Sequence, residues 1–198
     1  MTIPQLILIF NLVFISLVTP KEEVINWKIT SDSLLEILGT TNVSKFQCEN
    51  YSNSGTDYLT QRLPEAYEEV GLWNGEVLIT STNFDCNNSL LTKDFKKTIE
   101  VDQYPTIKVK FLSLTKRSET TNQTNLTGEV EITLVGVSKK YPISCVFLAK
   151  KGDTALFSGE RKILLSDFNI EPPVKFLGAV KVQDSIVVNF SLVLEKQI

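Results

Sequence analysis

The sequence predicts an all-β domain, and three observations carry this prediction. Apolar and polar residues alternate with a period of two in most runs between residues 24 and 195, which is typical of strands with one buried face. Clusters of Gly, Pro, Asn, Asp and Ser separate these runs as turns would. Only residues 90–100 space their apolar side chains as a helix does. We therefore expect about eight to ten antiparallel strands and one short helix.

The first predicted strands lie in "VINWKIT", "SLLEILG" and "NVSKFQC". Their alternating apolar positions are Ile25, Trp27 and Ile29, then Leu35 and Ile37, then Phe46 and Cys48. Residues 50–71 show no clear pattern, and a loop of this length is usually functional or partly helical. Alternation resumes in "WNGEVLITSTNF", where Val77 and Ile79 share one face.

The predicted helix follows in "LLTKDFKKTIE". Its apolar residues recur at positions i, i+4 and i+8: Leu91, Phe95 and Ile99. Asn88 or Ser89 can cap its first turn by accepting hydrogen bonds from unpaired backbone N–H groups. Asp94 could bind a ligand's head group or stabilise the helix through its dipole. Pro105 restricts Tyr104 to an extended conformation, so the helix ends and a strand begins.

Five further strands are predicted after the helix. In four of them the apolar face is clear from the alternation, and in one it is not. "TALFSGERKILL" is strand-like, but its inward face is ambiguous. The apolar positions of the clear strands are Ile107, Val109 and Phe111; Val130, Ile132 and Leu134; Ile143, Cys145 and Phe147; and Ile186, Val188, Phe190, Leu192 and Leu194. Such strands can close into a barrel or pack as a two-sheet sandwich, and the alternation does not distinguish the two.

The inward apolar residues are the main candidates for a binding site. In a barrel they would line a dry tunnel that grips an alkyl or isoprenoid chain, since burying apolar surface is favourable. The alternative is that they simply fill the interior. The candidate ligand-binding residues are Trp27, Val77, Ile79, Phe95, Val109, Phe111, Ile132, Phe147, Val188 and Phe190.

The N-terminus and the cysteines indicate export. An apolar run over residues 6–18 is short for a membrane span and fits a secretory signal peptide, predicted for residues 1–20, which leaves one domain over residues 21–198. In an oxidising compartment we expect a disulfide between Cys48 and Cys86, because each ends a strand-like run and is followed by polar loop residues. Cys145 lies in the middle of a strand and is expected to be a buried free thiol.

The composition argues against several classes of function. The chain contains no histidine, which removes the commonest general acid–base group and most zinc sites, so neither a metal site nor a cofactor is expected. Its charges are interspersed at a net −3, without the basic block that nucleic-acid binding needs. A hydrolase built on a Ser-Lys or carboxylate pair remains a third hypothesis, and we expect no enzymatic activity.

Several segments together resemble the YceI-like domain family. "LLTKDFKKTIEVDQYPTIKVKFLSL" is similar to a central motif of that family, in which an Asp-Phe pair on a short helix is followed by Tyr-Pro and a strand. "LTGEVEITLVGVSKKYPISCVF" and "LLSDFNIEPP" are similar to the next two elements. The matching residues are Asp94, Phe95, Tyr104, Pro105, Gly128, Gly136, Ser166, Asp167, Phe168 and Ile170.

The resemblance implies a lipocalin-like antiparallel barrel of about eight strands. It also implies a non-catalytic, periplasmic or secreted carrier of a hydrophobic chain, such as a polyisoprenoid, a quinone-like molecule or a fatty acid. The family's Arg-Asp-x-His motif is absent, since the corresponding region reads "CNNSLLTKDF". Any head group must therefore be bound by other residues. The alternative function is a filled barrel that serves as a structural or protein-interaction module of the envelope.

Overall fold

Strands make up most of the described chain. The computed structural model describes residues 23–51, 57–63, 72–120 and 122–197. The predicted signal peptide and much of the patternless stretch, residues 52–56 and 64–71, lie outside these ranges. The strands of the main sheet are β1 (Val24–Ile29), β2 (Leu34–Thr40), β3 (Lys45–Asn50), β4 (Tyr58–Arg62), β5 (Leu72–Thr80), β6 (Thr106–Glu119), β7 (Gln123–Leu134), β8 (Val137–Ala149), β9 (Thr154–Leu164) and, last in the chain, β12 (Ser185–Gln197).

Two short strands and one α-helix complete the described elements. The strands β10 (Val174–Lys175) and β11 (Val180–Lys181) form a small hairpin between β9 and β12. The helix α1 (Ser89–Thr98) lies between β5 and β6 and is the one α-helix of the described ranges. None of the described helices has the length and apolar character needed to cross a membrane.

The main sheet closes on itself as an antiparallel barrel with eight strand positions. β1 and β2 lie end to end along β12, pairing Ile29 with Leu194 and Leu34 with Ser191. β4 and β3 lie on the other sides of β1 and β2. From β4 the order runs through β5, β6, β7, β8 and β9 and returns to β12. The predicted barrel is confirmed, and the sandwich alternative is excluded.

The alternation seen in the sequence sets the inside of this barrel. Val109 of β6 pairs with Val77 of β5 on one side and with Ile132 of β7 on the other. Val188 of β12 pairs with Ile37 of β2. Because successive side chains of a strand point to opposite faces, each register places apolar residues together on the inner face. The predicted strands therefore converge on one common axis.

The two ends of the barrel differ in how they are covered. Neighbouring strands are antiparallel, so the turn at residues 41–44, the helical segment at 81–105, the turn at 135–136 and the long connection at 165–184 all lie at one end. We call this the helix end. The β6–β7 and β8–β9 connections lie at the opposite end.

The helix forms for the local reasons that the sequence indicates. Asn88 caps it, its side chain accepting a hydrogen bond from the backbone N–H of Leu91 at 3.0 Å. The helix spans residues 89–98, close to the predicted 90–100. Asp94 lies beyond the first turn, so it is not placed to stabilise the helix through its dipole as expected. It instead forms an ion pair with Lys175 of β10, with Oδ1 2.9 Å from Nζ. This ion pair joins the helix to the β10–β11 hairpin.

The cysteines are arranged as predicted. Cys48 of β3 forms a disulfide with Cys86, which precedes α1. Beside it, the backbones of Glu49 and Asp85 exchange two hydrogen bonds of 2.7 and 2.9 Å. Cys145 is a free, buried thiol, and burial raises its pKa to about 12. The disulfide thus fastens the segment before the helix to the barrel wall.

Candidate ligand-binding cavity

A cavity of about 610 Å³ lies inside the barrel beneath α1. Its walls come from seven strands of the main sheet, from the 41–44 turn, from α1 and from the 165–184 connection. A volume of this size falls within the range usual for small-molecule sites, about 300–1,000 Å³. We call it the mouth chamber. Its apolar lining includes Leu35, Ile79, Leu91, Phe95, Val109, Ile132, Ile163 and Val188.

A second, smaller chamber of about 70 Å³ lies further from the helix. We call it the deep chamber, and its lining includes Ser33, Asn50, Val77, Phe111, Val130, Ile143, Arg161 and Phe190. Both chambers are lined by Leu35, Ile79, Val109, Ile132 and Val188. The two chambers therefore adjoin and together offer space for an elongated guest.

An aromatic cluster fills the barrel toward the end opposite the helix end. It consists of Trp27, Trp73, Phe147 and Phe157, all of them buried. The ring centroid of Trp73 lies 6.3 Å from that of Trp27, 4.8 Å from that of Phe147 and 5.9 Å from that of Phe157. Such spacings are those of favourable stacked and edge-to-face aromatic pairs. The cluster therefore forms the floor of the cavity, on the side away from α1.

Phe111 and Phe190 lie between this floor and the deep chamber. The Phe111 ring contacts Phe157 edge-on, with centroids 5.6 Å apart, and Phe190 lies 5.7 Å from Phe157. Both rings also line the deep chamber. The two rings therefore contact the aromatic cluster on one side and the deep chamber on the other.

The structure divides the predicted binding residues into two groups. Those that line at least one chamber are Val77, Ile79, Phe95, Val109, Phe111, Ile132, Val188 and Phe190. Trp27 and Phe147 line neither chamber and pack within the aromatic cluster, with centroids 5.2 Å apart. Nine of the ten lie on strands of the barrel and Phe95 lies on α1.

Arg161 is a site residue that the sequence pattern does not identify. It shares the inward phase of β9 with the buried residues Ala155, Phe157 and Ile163. Gly159 and Arg161 interrupt the apolar alternation there, which is why the strand has no clear face in the sequence. The Arg161 guanidinium carbon lies 5.4 Å from the centroid of the Tyr141 ring, a cation–π arrangement. The signal that could have found it is the period of two that continues through the arginine.

Tyr141 links this region to the connection after β9. Its hydroxyl donates a 2.6 Å hydrogen bond to Oδ2 of Asp167, which lies in the 3₁₀ turn Leu165–Phe168. Burial and this hydrogen bond raise the pKa of the Tyr141 phenol well above its ordinary value of 10.0. The turn ends at Asn169, whose φ of 59° is one that Asn tolerates better than most residues.

The helix end carries several exposed apolar side chains around the mouth chamber. Phe176 and Leu177 at the tip of the β10–β11 hairpin, Val43 and Leu90 are all exposed. Asn42 holds the 41–44 turn against the hairpin: its Nδ2 donates to the Ala179 carbonyl at 3.0 Å, and its Oδ1 accepts from the Lys181 N–H at 2.8 Å. The rim of the mouth is thus built from three separate segments.

The chemistry available at the cavity is that of holding an apolar guest. Within the described ranges, no three His, Cys, Asp or Glu side chains are grouped so that they could bind a metal ion. The polar groups that line the deep chamber are Ser33, Asn50 and Arg161. Apolar walls with a few convergent polar groups are typical of sites that bind small hydrophobic molecules.

Comparison with known proteins agrees with this architecture. A family model described as "YceI-like domain" matches residues 20–194. No curated protein matches the sequence. Two solved structures share the fold. One is BcnA of Burkholderia cenocepacia, at 17% identity and a TM-score of 0.62, covering 83% of this chain and 98% of BcnA. The other is a polyisoprenoid binding domain from Saccharophagus degradans, at 12% identity and a TM-score of 0.61, covering 88% of this chain and 100% of that domain.

Proposed function

Since this chain belongs to the YceI-like domain family, we propose that it is a non-catalytic carrier that holds a hydrophobic chain-like molecule inside its barrel. The observation that carries the proposal is the apolar mouth chamber of about 610 Å³ beneath α1. A polyisoprenoid, a quinone-like molecule and a fatty acid all have the extended apolar shape that such a cavity suits. The solved relative from Saccharophagus degradans is described as polyisoprenoid binding, which favours the same class of ligand.

Burial of the guest would supply the affinity. Each methylene group removed from water contributes about 0.8 kcal/mol, so about ten of them supply about 8 kcal/mol. That is the scale of micromolar binding, before the cost of immobilising the chain is subtracted. The absence of histidine from the whole sequence further supports a role in holding rather than reacting.

Substitution of Val109 tests the proposal directly, because this residue lines both chambers. V109W should fill the middle of the cavity and weaken binding of the neutral apolar dye N-phenyl-1-naphthylamine at least tenfold in a fluorescence titration. The matched control is K110W, which places the same ring on the outer face of the same strand, where Lys110 is exposed.

Two further measurements complete the test. Solvent extraction of the purified protein followed by mass spectrometry should yield a stoichiometric lipid, and circular dichroism should show that both variants fold. If folded V109W binds the dye as tightly as the wild type, or if the wild type neither carries a lipid nor binds the dye, the carrier function is wrong.

A filled barrel that acts as a structural or protein-interaction module is the second candidate. The aromatic cluster favours it, because close-packed rings fill the barrel toward the end opposite the helix end. The mouth chamber favours the carrier, since a barrel with a purely structural role has no need of an opening of that size. The extraction experiment separates the two, because only a carrier retains a lipid.

We also propose that the protein is exported to the periplasm or secreted. The Cys48–Cys86 disulfide supports this, since such bonds persist in oxidising compartments. The apolar run over residues 6–18 is the expected signal. Protein expressed in a bacterial host should be recovered from the periplasmic fraction, shortened by about the predicted 20 residues in intact mass measurement. Full-length protein in the cytoplasm would contradict the export proposal.

A further inference from the structure

The deep chamber is lined by one positively charged side chain. Arg161 lines the deep chamber on the inner face of β9, and its register partner on β12 is the apolar Val188. Lys45 and Lys175 also line the cavity, but they belong to the mouth chamber at the helix end. Arg161 is thus the basic side chain that lines the deep chamber, level with Val188, where the two chambers meet.

Among the residues that the structure describes, the guanidinium of Arg161 has no acidic partner. Throughout the described ranges, no carboxylate lies within ion-pair distance of it. Its Nε is buried without a hydrogen-bond partner. The nearby Asp167 accepts the hydroxyl of Tyr141, whose ring offers Arg161 only a cation–π contact. Arg161 is half-buried, and a charge partly removed from water without an ionic partner is unfavourable, so an anion that entered the cavity would gain more here than in water.

The rest of the deep chamber suits a small polar head. Ser33 is buried, and its Oγ accepts a hydrogen bond from the Val193 N–H at 3.0 Å, which leaves the hydroxyl hydrogen directed elsewhere. The deep chamber measures only about 70 Å³, against about 610 Å³ for the mouth chamber. A carboxylate fits this division of space, with its apolar tail in the larger chamber. A bulky ring or a diphosphate at the inner end does not.

We infer that Arg161 anchors an acidic head group, so that the guest is a long-chain carboxylic acid bound with its carboxylate inward and its tail toward α1. The inference rests on the proposed carrier function and narrows its ligand class. A neutral isoprenoid would leave the guanidinium as poorly compensated as it is in the empty cavity. A carboxylate would give Arg161 a charge-assisted, bidentate hydrogen-bond pair, the strongest form of this interaction.

A matched pair of ligands tests the anchor. Palmitate and methyl palmitate carry the same saturated chain, but at pH 8 only palmitate is an anion. Each would be titrated against N-phenyl-1-naphthylamine bound to the full protein, freed of lipid beforehand. The wild type should prefer palmitate by about tenfold or more, the ratio expected for one charge-assisted hydrogen-bond pair.

Substitution then assigns the preference to one residue. R161M replaces the guanidinium by an apolar group of similar length, and it should remove the preference while leaving affinity for methyl palmitate equal or higher. K162M is the matched control, because Lys162 is the neighbouring cation and is exposed on the outer face of β9. It should keep the preference.

The outcomes separate this inference from the carrier function. If the wild type binds methyl palmitate as tightly as palmitate, or if R161M retains the preference, Arg161 is not the anchor, although the carrier function stands. If neither palmitate nor methyl palmitate displaces the dye and the dye itself does not bind, both proposals fail. The wild-type comparison needs no variant, so a folding defect in R161M cannot obscure the result.

Discussion

At the scale of single residues, the inner face of the barrel follows one rule with one informative exception. Apolar residues at every second position face the axis, as Val109, Ile132 and Val188 do. Arg161 follows the same period but carries a charge into the interior. Natural sequences tend to break a local rule where function requires it. The residue that made β9 difficult to assign is therefore the one most informative about the ligand.

Tyr141 gives a residue-scale prediction for alkaline pH. Its phenol pKa is raised above 10.0 in the folded state, by burial and by the hydrogen bond to Asp167. The stabilisation is therefore complete below about pH 10, the ordinary pKa, and is lost as pH rises toward the folded-state pKa. Urea unfolding of the wild type between pH 8 and 11 should show stability falling above about pH 10. Y141F should show a smaller fall.

The same variant should lose stability at neutral pH. Y141F removes the hydroxyl that donates to Asp167, and a hydrogen bond to a charged group is worth about 1.5–3 kcal/mol. Y104F is the control, because its hydroxyl accepts only an exposed hydrogen bond from Gln103, and it should cost less. Equal losses from Y141F and Y104F would mean that the contact with Asp167 contributes little.

At the scale of elements, the short helix is specified locally. A cap at Asn88 and an apolar stripe define its start and its buried face, because each acts on its own neighbours in the chain. Its end at Thr98 is not set by Pro105 as expected, since the chain already turns at Glu100, whose φ is 49°. Its contact with the β10–β11 hairpin through Lys175 involves residues 81 positions apart, and no local pattern indicates it. The helix is therefore predictable, and its partner is not.

Removal of the helix cap gives an element-scale prediction. N88A loses the acceptor for the Leu91 N–H and should destabilise the protein by about 1 kcal/mol. Faster amide hydrogen exchange at Leu91 should accompany the loss. S89A, one residue further on, is the control and should change stability by less than half as much. If both variants exchange at the wild-type rate, the cap does not determine the start of the helix.

At the scale of the whole molecule, the alternation in the sequence predicts the strands of the barrel. It does not predict which part of the interior is filled by side chains and which part is a cavity. A period of two shows which strand side chains face inward, and the nine predicted binding residues on strands do so. It does not give their height along the barrel axis, which depends on strand register between distant segments. Trp27 and Phe147 accordingly lie within the aromatic cluster, while Val109 and Ile132 line the cavity.

The disulfide gives a prediction for the stability of the whole barrel. It joins residues 38 positions apart, and a bridge that closes a loop of this size typically contributes about 2–4 kcal/mol. The double variant C48A/C86A should lose about this amount in urea unfolding and should not respond to dithiothreitol. C145A is the control and should remain sensitive to the reductant, because it keeps the bridge. A wild type whose unfolding is unchanged by reduction would contradict the prediction.

The aromatic cluster closes the barrel at the end opposite α1. A guest that enters past α1 has to leave by the same entrance, because Trp27, Trp73, Phe147 and Phe157 obstruct the opposite route. The depth of the cavity would then limit the length of the bound chain. The affinity of the protein for the guest should rise with each carbon added to the tail until the tail reaches the entrance. Beyond that length further carbons remain in water and contribute nothing. The position of four rings thus sets the longest molecule that the barrel can fully enclose.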